Sequence, residues 1–188
     1  MAAKEEGTVA GSPALSTPVS PLDYRRAEER DLRLVVGTWV GSYRTAHAAG
    51  MICMADWRDV MEKQVARVLE RPDVEVWVAY NPQEESTRGD LYGWIAVERN
   101  YQVPVRERVD GRWVESLNPS WAPLVHYVYV KQPYRLLGIA RGLFLAAHVS
   151  LESEFLFSCK TPVVSKVEHR IPLAHWAPLI CRYPKDLR

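Results

Sequence analysis

Cysteine is scarce in this sequence: Cys53, Cys159 and Cys181 are the only three, and they lie far apart without a CxxC spacing. Disulfide frameworks and structural zinc sites need several cysteines at short, regular spacings. The three cysteines therefore argue against both and favour buried free thiols in a reducing compartment. We expect a cytoplasmic protein without a metal.

An excess of charge of either sign is also lacking, as is any long apolar run. Lys and Arg number 24 against 23 Asp and Glu, which gives a formal net charge of +1. A chain so close to neutral has no overall electrostatic attraction to nucleic acid or to an anionic membrane. No apolar run approaches the ~18 residues that a membrane-spanning helix needs, and residues 1–7 lack the features of a signal peptide. We expect neither nucleic acid nor membrane as a partner.

The sequence does contain enough apolar material for one hydrophobic core. Its 188 residues are 47% hydrophobic and 25% charged, close to the average of globular domains. Residues 1–20 differ, because small residues and proline dominate there and no large aromatic side chain occurs. We predict a disordered leader over residues 1–20 and a single domain over residues 21–188.

Periodicity predicts two helices early in the chain and a sheet after them. Apolar residues recur at helical spacing behind Asp31 and again behind Asp56, and both aspartates are placed as N-caps. Runs of β-branched and aromatic residues then predict strands. The predicted sheet strands cover residues 23–27, 74–80, 91–97, 124–130, 154–159 and 174–181. This order of elements predicts a mixed α/β sheet.

An insertion at about residues 100–123 interrupts the predicted sheet. Within it, Asp110-Gly111 is a favoured two-residue turn between short strands over 107–109 and 112–114. Residues 116–123 are predicted to form a loop. Beyond the insertion, a helix is expected over about 137–151 and a shorter one over 162–169.

The segment from Arg135 to Ala140 joins a predicted strand to a predicted helix. Gly138 and Ala140 carry no large side chain, so unpaired N–H groups in the first helical turn can approach a ligand closely. The helix dipole favours an anion there, most often a phosphate, and Arg135 adds a positive charge. An isolated Gly-x-Ala is more typical of a tight turn with a packed alanine, so the surrounding residues must decide.

In that context, Arg135-Leu136-Leu137-Gly138-Ile139-Ala140 resembles the acyl-coenzyme A loop of the GNAT N-acetyltransferase superfamily, whose pattern is (Arg/Gln)-x-x-Gly-x-(Gly/Ala). Residues 24–31 and 39–43 look like the opening strand and helix of that superfamily, and the resemblance covers most of residues 22–160. It implies an α/β (α+β) fold: a mixed, mostly antiparallel central sheet, flanked by helices. It also implies a splay between the fourth and fifth sheet strands, residues 124–130 and 154–159.

The resemblance further implies an acyl-CoA-dependent N-acyltransferase. Acetyl-CoA or another acyl-CoA would be the co-substrate, and the acyl group would pass by direct attack to an amine of an unidentified acceptor. Loop amides would hold the pyrophosphate, and two valine backbones would pair with pantetheine. The coenzyme A-binding residues that it implies are Val128, Val130, Arg135, Leu136, Leu137, Gly138, Ile139, Ala140 and Arg141. A homodimer is compatible with this prediction.

Direct attack by an amine needs a base, or a water relay, and a proton donor for the departing thiolate. Strand alternation places Leu124, His126 and Val128 on one face, where His126 is the only titratable side chain. Histidine titrates near neutrality and therefore suits a base, although a histidine that is merely hydrogen-bonded within the sheet fits equally well. Glu98 is the second candidate base, and its alternative is a solvated strand end.

The proton donor is where the sequence departs from the superfamily. Relatives usually carry a tyrosine in the short helix after the fifth strand, and residues 163–169 contain none. Ser165, His169 or water could replace it, and Cys159 is not expected to act as a nucleophile. Two alternatives therefore stay open: a non-catalytic GNAT-fold binding or assembly module, for example of a phage type, and a GNAT-like nucleic-acid base modifier, which the near-zero net charge disfavours.

Overall fold

The computed structural model describes residues 22–42, 54–83, 91–103, 106–109, 112–115, 120–158 and 174–176. The predicted leader, the Asp110-Gly111 turn and the predicted helix over 162–169 lie outside the described residues. In chain order the elements are β1 (Asp23–Arg26), α1 (Glu29–Ser42), α2 (Met54–Leu69), β2 (Val74–Tyr80), β3 (Leu91–Val103), β4 (Arg106–Val109), β5 (Arg112–Glu115), β6 (Ser120–Val130), a 3-10 helix (Gln132–Tyr134), α3 (Ile139–Ala146), β7 (Phe155–Phe157) and β8 (Ala174–Trp176).

Six strands form one sheet in the order β1-β2-β3-β6-β7-β8. The pairs β1–β2, β2–β3 and β3–β6 are antiparallel, whereas β6–β7 and β7–β8 are parallel. The predicted mixed, mostly antiparallel sheet is therefore confirmed. β4 and β5 pair antiparallel as a separate two-stranded sheet, as predicted for the insertion.

The helices cover the two faces of this sheet because each has one apolar stripe. α1 and α2 pack on one face, and α3 packs on the other. The first core contains Val35, Trp39, Trp57, Val65, Val78 and Trp94. The second contains Tyr92, Ile95, Val97, Val125, Ile139, Leu143 and Phe144. Each fully buried side chain of this kind contributes about 1.5–3 kcal/mol.

Two glycines permit close approaches that a larger residue would prevent. A Cβ at Gly93 in β3 would lie 2.5 Å from the Tyr129 carbonyl oxygen of β6. A Cβ at Gly142 in α3 would overlap the Tyr24 side chain of β1. These glycines therefore set how closely β3 lies against β6 and how closely α3 packs on β1.

Asp31 is not the N-cap of α1, because the helix begins two residues earlier, at Glu29. Its carboxylate instead accepts the Glu28 backbone N–H over 2.8 Å, as the third helical residue of a capping box does. It also accepts hydrogen bonds from Nη1 and Nη2 of Arg25, over 2.6 and 3.2 Å. The buried Asp31 thus joins the start of α1 to β1.

The predicted loop over 116–123 is wrong for residues 120–123, which extend β6. β3 extends in step to Val103, which pairs with Ser120. Pro123 is tolerated within this ladder because it falls where the β3–β6 register shifts, between Glu98 and Tyr101.

α3 is shorter than the predicted helix over 137–151, since it ends at Ala146. His148 has a positive φ of 48°. The His148 N–H donates to the Leu145 carbonyl, and the Val149 N–H donates to the Phe144 carbonyl. These bonds form a Schellman motif, in which a histidine occupies the position that glycine usually holds.

Candidate functional site

The parallel pairing between β6 and β7 is short. β7 pairs with β6 at Leu124 and Val125. Ser158 follows β7: its backbone N–H donates to the Val125 carbonyl and its buried hydroxyl donates to the His126 carbonyl, each over 3.0 Å. Beyond His126, no strand in the described part of the chain pairs with this side of β6. In the described part of the sheet, the pairing between β6 and β7 therefore ends here, and the sheet opens from residue 127 onward, where the splay is expected.

Val128 and Val130 turn their backbone groups toward this opening. The Lys131 N–H donates across the β3–β6 ladder to the Tyr92 carbonyl over 2.8 Å. Because backbone groups alternate in direction along a strand, Tyr129 also faces β3, whereas the N–H and C=O groups of Val128 and Val130 face away from it. These are the two residues for which the resemblance implies contacts with pantetheine.

The loop after β6 contains two residues in the left-handed region. Leu136 has φ 68° and Gly138 has φ 79°. Glycine adopts this conformation freely, whereas Leu136 is held there at a cost of about 1–2 kcal/mol with its side chain fully exposed. A Cβ at Gly138 would meet no atom within 4 Å. The space beside Gly138 is therefore open, at the point where the chain enters α3.

α3 starts directly from this loop, with Gly138 as its N-cap. The Gly142 N–H donates to the Gly138 carbonyl over 3.0 Å, so the N–H groups of Ile139, Ala140 and Arg141 precede the first intrahelical bond. The Ile139 side chain is buried in the core, whereas Ala140 and Arg141 are exposed. Ile139 can therefore serve a ligand through its backbone alone, and the helix dipole favours an anion at this end.

Arg135 links this loop to β6. Its Nε donates to the Val130 carbonyl over 3.2 Å, and the residue is exposed. The guanidinium charge thus lies at the border of the opening, beside a backbone carbonyl that faces into it. Leu137 is also exposed, so the residues from Arg135 to Gly138 all contact solvent.

His126 lies in a β-bulge at the start of the opening. Ala96 of β3 pairs with Tyr127, but the next residue, Val97, pairs with Val125. β6 therefore has one more residue than β3 at this point, and that residue is His126. A bulge of this kind interrupts the regular alternation of side chains between the two faces of a sheet.

The bulge corrects the predicted orientation of His126. Its ring lies 6.1 Å from the ring of Trp39 in α1, so it belongs to the face that α1 and α2 cover. Val128 packs in the opposite core, against α3. The prediction that His126 and Val128 share a face is wrong, and His126 is not the only titratable group on its face, since Tyr127 also packs against Trp39.

Glu98 contacts both His126 and a residue that the sequence did not single out, Arg71. Its Oε2 lies 3.0 Å from His126 Nε2 and accepts a hydrogen bond from Arg71 Nη1 over 2.9 Å. The hydrogen bond with His126 is the main cause that lowers the pKa of the Glu98 carboxyl; burial opposes this shift, and the positive charges of a protonated His126 and of Arg71 add to it. Glu98 is therefore ionised at neutral pH, and it is not the solvated strand end that the sequence allowed.

Among the described residues, the second ring nitrogen of His126 has no hydrogen-bond partner. Nδ1 is buried, and no hydrogen-bonding group of the described residues reaches it. The whole side chain is enclosed, with the residue 1% exposed. A buried polar atom without a partner costs about 1–3 kcal/mol, so such atoms are rare in folded proteins. Nδ1 is thus placed to accept a hydrogen bond from a bound molecule or a water.

The predicted site residues form two adjoining groups. Val128, Val130 and the loop residues 135–141 border the opening, while His126 and Glu98 form a hydrogen-bonded pair at its start. Ser165, the candidate proton donor, lies outside the described residues, as do Cys159 and His169. Its role stays a prediction. Among the described residues, no three potential metal ligands come together, and no helix has the length and apolar character of a membrane span.

Sequence reasoning missed two parts of this site. Arg71 follows α2 in a charged, exposed stretch, where nothing distinguishes it from the other arginines of the chain. The bulge at His126 has no glycine or proline to mark it. One residue in the sequence could have pointed to this site: Ser158, a polar residue directly after an apolar strand. In the structure, Ser158 is completely buried.

Comparison of the structure with solved structures identifies the fold. A protein from Pyrococcus furiosus described as an acetyl transferase matches with a TM-score of 0.55 and 15% sequence identity, over 80% of this chain and 91% of that chain. An acetyltransferase from Vibrio fischeri matches with a TM-score of 0.45 and 18% identity, over 72% and 93%. The aminoglycoside 6'-N-acetyltransferase AAC(6')-Ih from Acinetobacter baumannii matches with a TM-score of 0.45 and 14% identity, over 80% and 89%.

No protein-family model matches the sequence, and no curated protein matches it. The structural match nevertheless establishes the architecture: this chain has the GNAT fold. The identities are too low to carry an activity or an acceptor from those proteins to this one.

Proposed function

We propose that this chain is an acyl-CoA-dependent N-acyltransferase, which moves an acetyl or similar acyl group from coenzyme A to an amine acceptor. One observation carries the proposal: the opening beside β6 leads directly to the loop where Gly138 starts α3. Outward-facing strand amides at one end and a helix N-terminus at the other suit a ligand with an amide-containing arm and a phosphate. The GNAT fold and the described activities of the matching structures support the same conclusion.

The chain's own groups would hold acyl-CoA chiefly through backbone atoms. The N–H groups of Ile139, Ala140 and Arg141 face the pyrophosphate, the open space at Gly138 admits it, and the helix dipole stabilises its charge. The guanidinium of Arg135 lies on the same side. The pantetheine arm extends along β6 in place of a strand, and it forms hydrogen bonds with the Val128 carbonyl and with the Val130 backbone.

The reaction would occur where the opening begins. His126 removes a proton from the acceptor's ammonium group through one water, because the enclosed Nδ1 lacks a hydrogen-bond donor among the described residues. The freed lone pair forms the C–N bond to the thioester carbonyl carbon. The Val128 N–H, two residues from His126, faces the opening and stabilises the developing oxyanion.

The intermediate then collapses with loss of the C–S bond. The thiolate leaves with the electron pair and is protonated by Ser165 or by water. That donor in turn takes the second proton of the amine. The products are an amide, free coenzyme A and one proton released through His126. No covalent enzyme intermediate is involved.

Two measurements on the full chain test this proposal. Isothermal titration with acetyl-CoA should show binding, and thiol release from acetyl-CoA should rise when spermidine, kanamycin or a lysine-containing peptide is added. His126→Gln should abolish the amine-dependent release but retain acetyl-CoA binding. Binding of acetyl-CoA with no amine-dependent thiol release for every amine tested would favour the non-catalytic module. Absence of acetyl-CoA binding would overturn the proposal.

A further inference from the structure

The contacts of Glu98 determine which nitrogen of His126 carries the ring proton. Both His126 and Arg71 contact the same oxygen, Oε2, over 3.0 and 2.9 Å. An ionised carboxylate can only accept hydrogen bonds, so His126 Nε2 must be the donor. The neutral imidazole therefore presents a lone pair at Nδ1, the atom that is buried and has no partner in the described structure.

The same contacts make Glu98 a poor base. Its Oε2 already accepts two hydrogen bonds, one of them from a guanidinium, and its side chain is only 13% exposed. Base strength falls as the charged form is stabilised, and here the protein stabilises the carboxylate. The two candidate bases are thus not equivalent: His126 presents a lone pair at Nδ1, whereas Glu98 already accepts two hydrogen bonds at Oε2.

Arg71 reaches Glu98 from a hydrogen-bonded turn. It lies in the turn between α2 and β2, where its N–H donates to the Val68 carbonyl and its carbonyl accepts the Val74 N–H, each over 3.2 Å. Among the described residues, Glu98 of β3 forms an ion-pair contact with His126, and Arg71 forms one with the same carboxylate. α1 presents the uncharged ring of Trp39.

We infer that Arg71 and Glu98 are positioning residues. They orient His126 so that Nδ1 is the ring atom that takes the proton from the amine substrate. The inference rests on the proposed function and adds to it. When Nδ1 takes the proton, the ring becomes an imidazolium with N–H groups on both nitrogens, and the Glu98 carboxylate lies 3.0 Å from the new charge. Arg71 keeps that carboxylate in place and ionised throughout.

A spectroscopic experiment tests the geometry without requiring an acceptor. NMR spectra of protein labelled with ¹⁵N-histidine, with His126 identified by its absence in His126→Gln, should show the ring proton bonded to Nε2. Nδ1 should give the signal of an unprotonated ring nitrogen. A proton on Nδ1 would overturn the inference, even in an active enzyme.

Kinetics test the positioning roles. Glu98→Gln should lower kcat for acetyl transfer to the best amine of the panel by about 10- to 100-fold, the usual effect of removing a supporting partner, and leave the KM for acetyl-CoA within about twofold. Arg71→Gln should cost about three- to tenfold in kcat, and Arg71→Lys should restore most of it. Arg58→Gln, which breaks an exposed ion pair with Glu62 on α2, is the matched control and should leave kcat unchanged.

The outcomes separate the inference from the function on which it rests. Transfer that survives His126→Gln but is lost in Glu98→Gln would make Glu98 the base and overturn the inference. Wild-type kcat in folded Glu98→Gln would overturn its positioning role. Absence of transfer by the wild type to every amine would reject the proposed function and the base role, whereas the orientation of the ring is decided by the spectrum.

Discussion

A carboxylate placed at Gly138 tests whether the start of α3 binds a phosphate. Gly138 has φ 79°, so most substitutions there are strained, but Asn and Asp tolerate the left-handed region better than other residues. The two side chains are nearly the same size, and both extend into the open space beside the loop. The pair Gly138→Asn and Gly138→Asp therefore separates charge from bulk and strain.

The expected difference follows from Coulomb's law. A carboxylate about 5 Å from one phosphate charge is repelled by about 3 kcal/mol at an effective dielectric constant of about 20. Solvent and salt at this exposed loop reduce that to about 1–2 kcal/mol. We therefore expect Gly138→Asp to bind acetyl-CoA about five- to thirtyfold more weakly than Gly138→Asn, since about 1.4 kcal/mol corresponds to tenfold.

Isothermal titration at low salt measures this difference, and raising the salt should reduce it. Gly37→Asp, on the exposed side of α1 where an added Cβ meets no atom within 4 Å, adds the same charge and should bind like the wild type. Equal affinities for the Asn and Asp variants of Gly138, or an equal loss in Gly37→Asp, would refute phosphate binding at this loop.

Three further predictions concern packing and stability. Gly93→Ala should lower the free energy of unfolding in urea by at least about 1–3 kcal/mol, because the new Cβ meets the Tyr129 carbonyl, and an unchanged urea midpoint would contradict the described strand spacing. Gly142→Ala should destabilise the wild type but be neutral or stabilising in a Tyr24→Ala background, where the obstruction is gone and the better helix propensity of alanine remains. Thermal melts of the wild type, the two single variants and the double variant test this coupling, and additive effects of the two substitutions would contradict the described contact. Folding lowers the pKa of Glu98, so the ionised carboxylate stabilises the folded state. This stabilisation is fully present above the ordinary glutamate pKa of about 4.3 and is lost as the pH falls through the lower folded value. Urea unfolding between about pH 3 and 7 should show that the free energy of unfolding falls less steeply toward acid pH in Glu98→Gln than in the wild type. The same pH dependence in both proteins would show that the carboxylate contributes nothing to stability.

The central part of the fold was predictable because local patterns and packing agree there. The runs Val74–Tyr80 and Leu124–Val130 consist mostly of β-branched and aromatic residues, and both lie in strands. Gly138 was predicted at the strand–helix junction, since a residue without Cβ is needed there. Its left-handed φ, however, depends on how the loop returns from β6 to the sheet, which no local pattern encodes.

The arrangement around His126 could not be predicted for a different reason. Its orientation depends on the pairing of β6 with β3, and a bulge results from a mismatch between two strands that lie about thirty residues apart in sequence. Arg71 reaches Glu98 across 27 residues of sequence, again through tertiary structure alone. Long-range register and side-chain pairing are thus the parts of this site that a single sequence leaves undetermined.

The extra residue in β6 also constrains how this protein can change during evolution. A point substitution replaces one side chain but leaves the direction of its neighbours unaltered, because direction is set by pairing. Loss of one residue from the bulge would restore regular alternation and shift Leu124 and Val125, with all of β6 before them, by one position against β3. The imidazole can therefore be exchanged for another chemical group in a single mutational step, whereas moving it to the other side of the sheet requires a deletion that also displaces the buried residues before it.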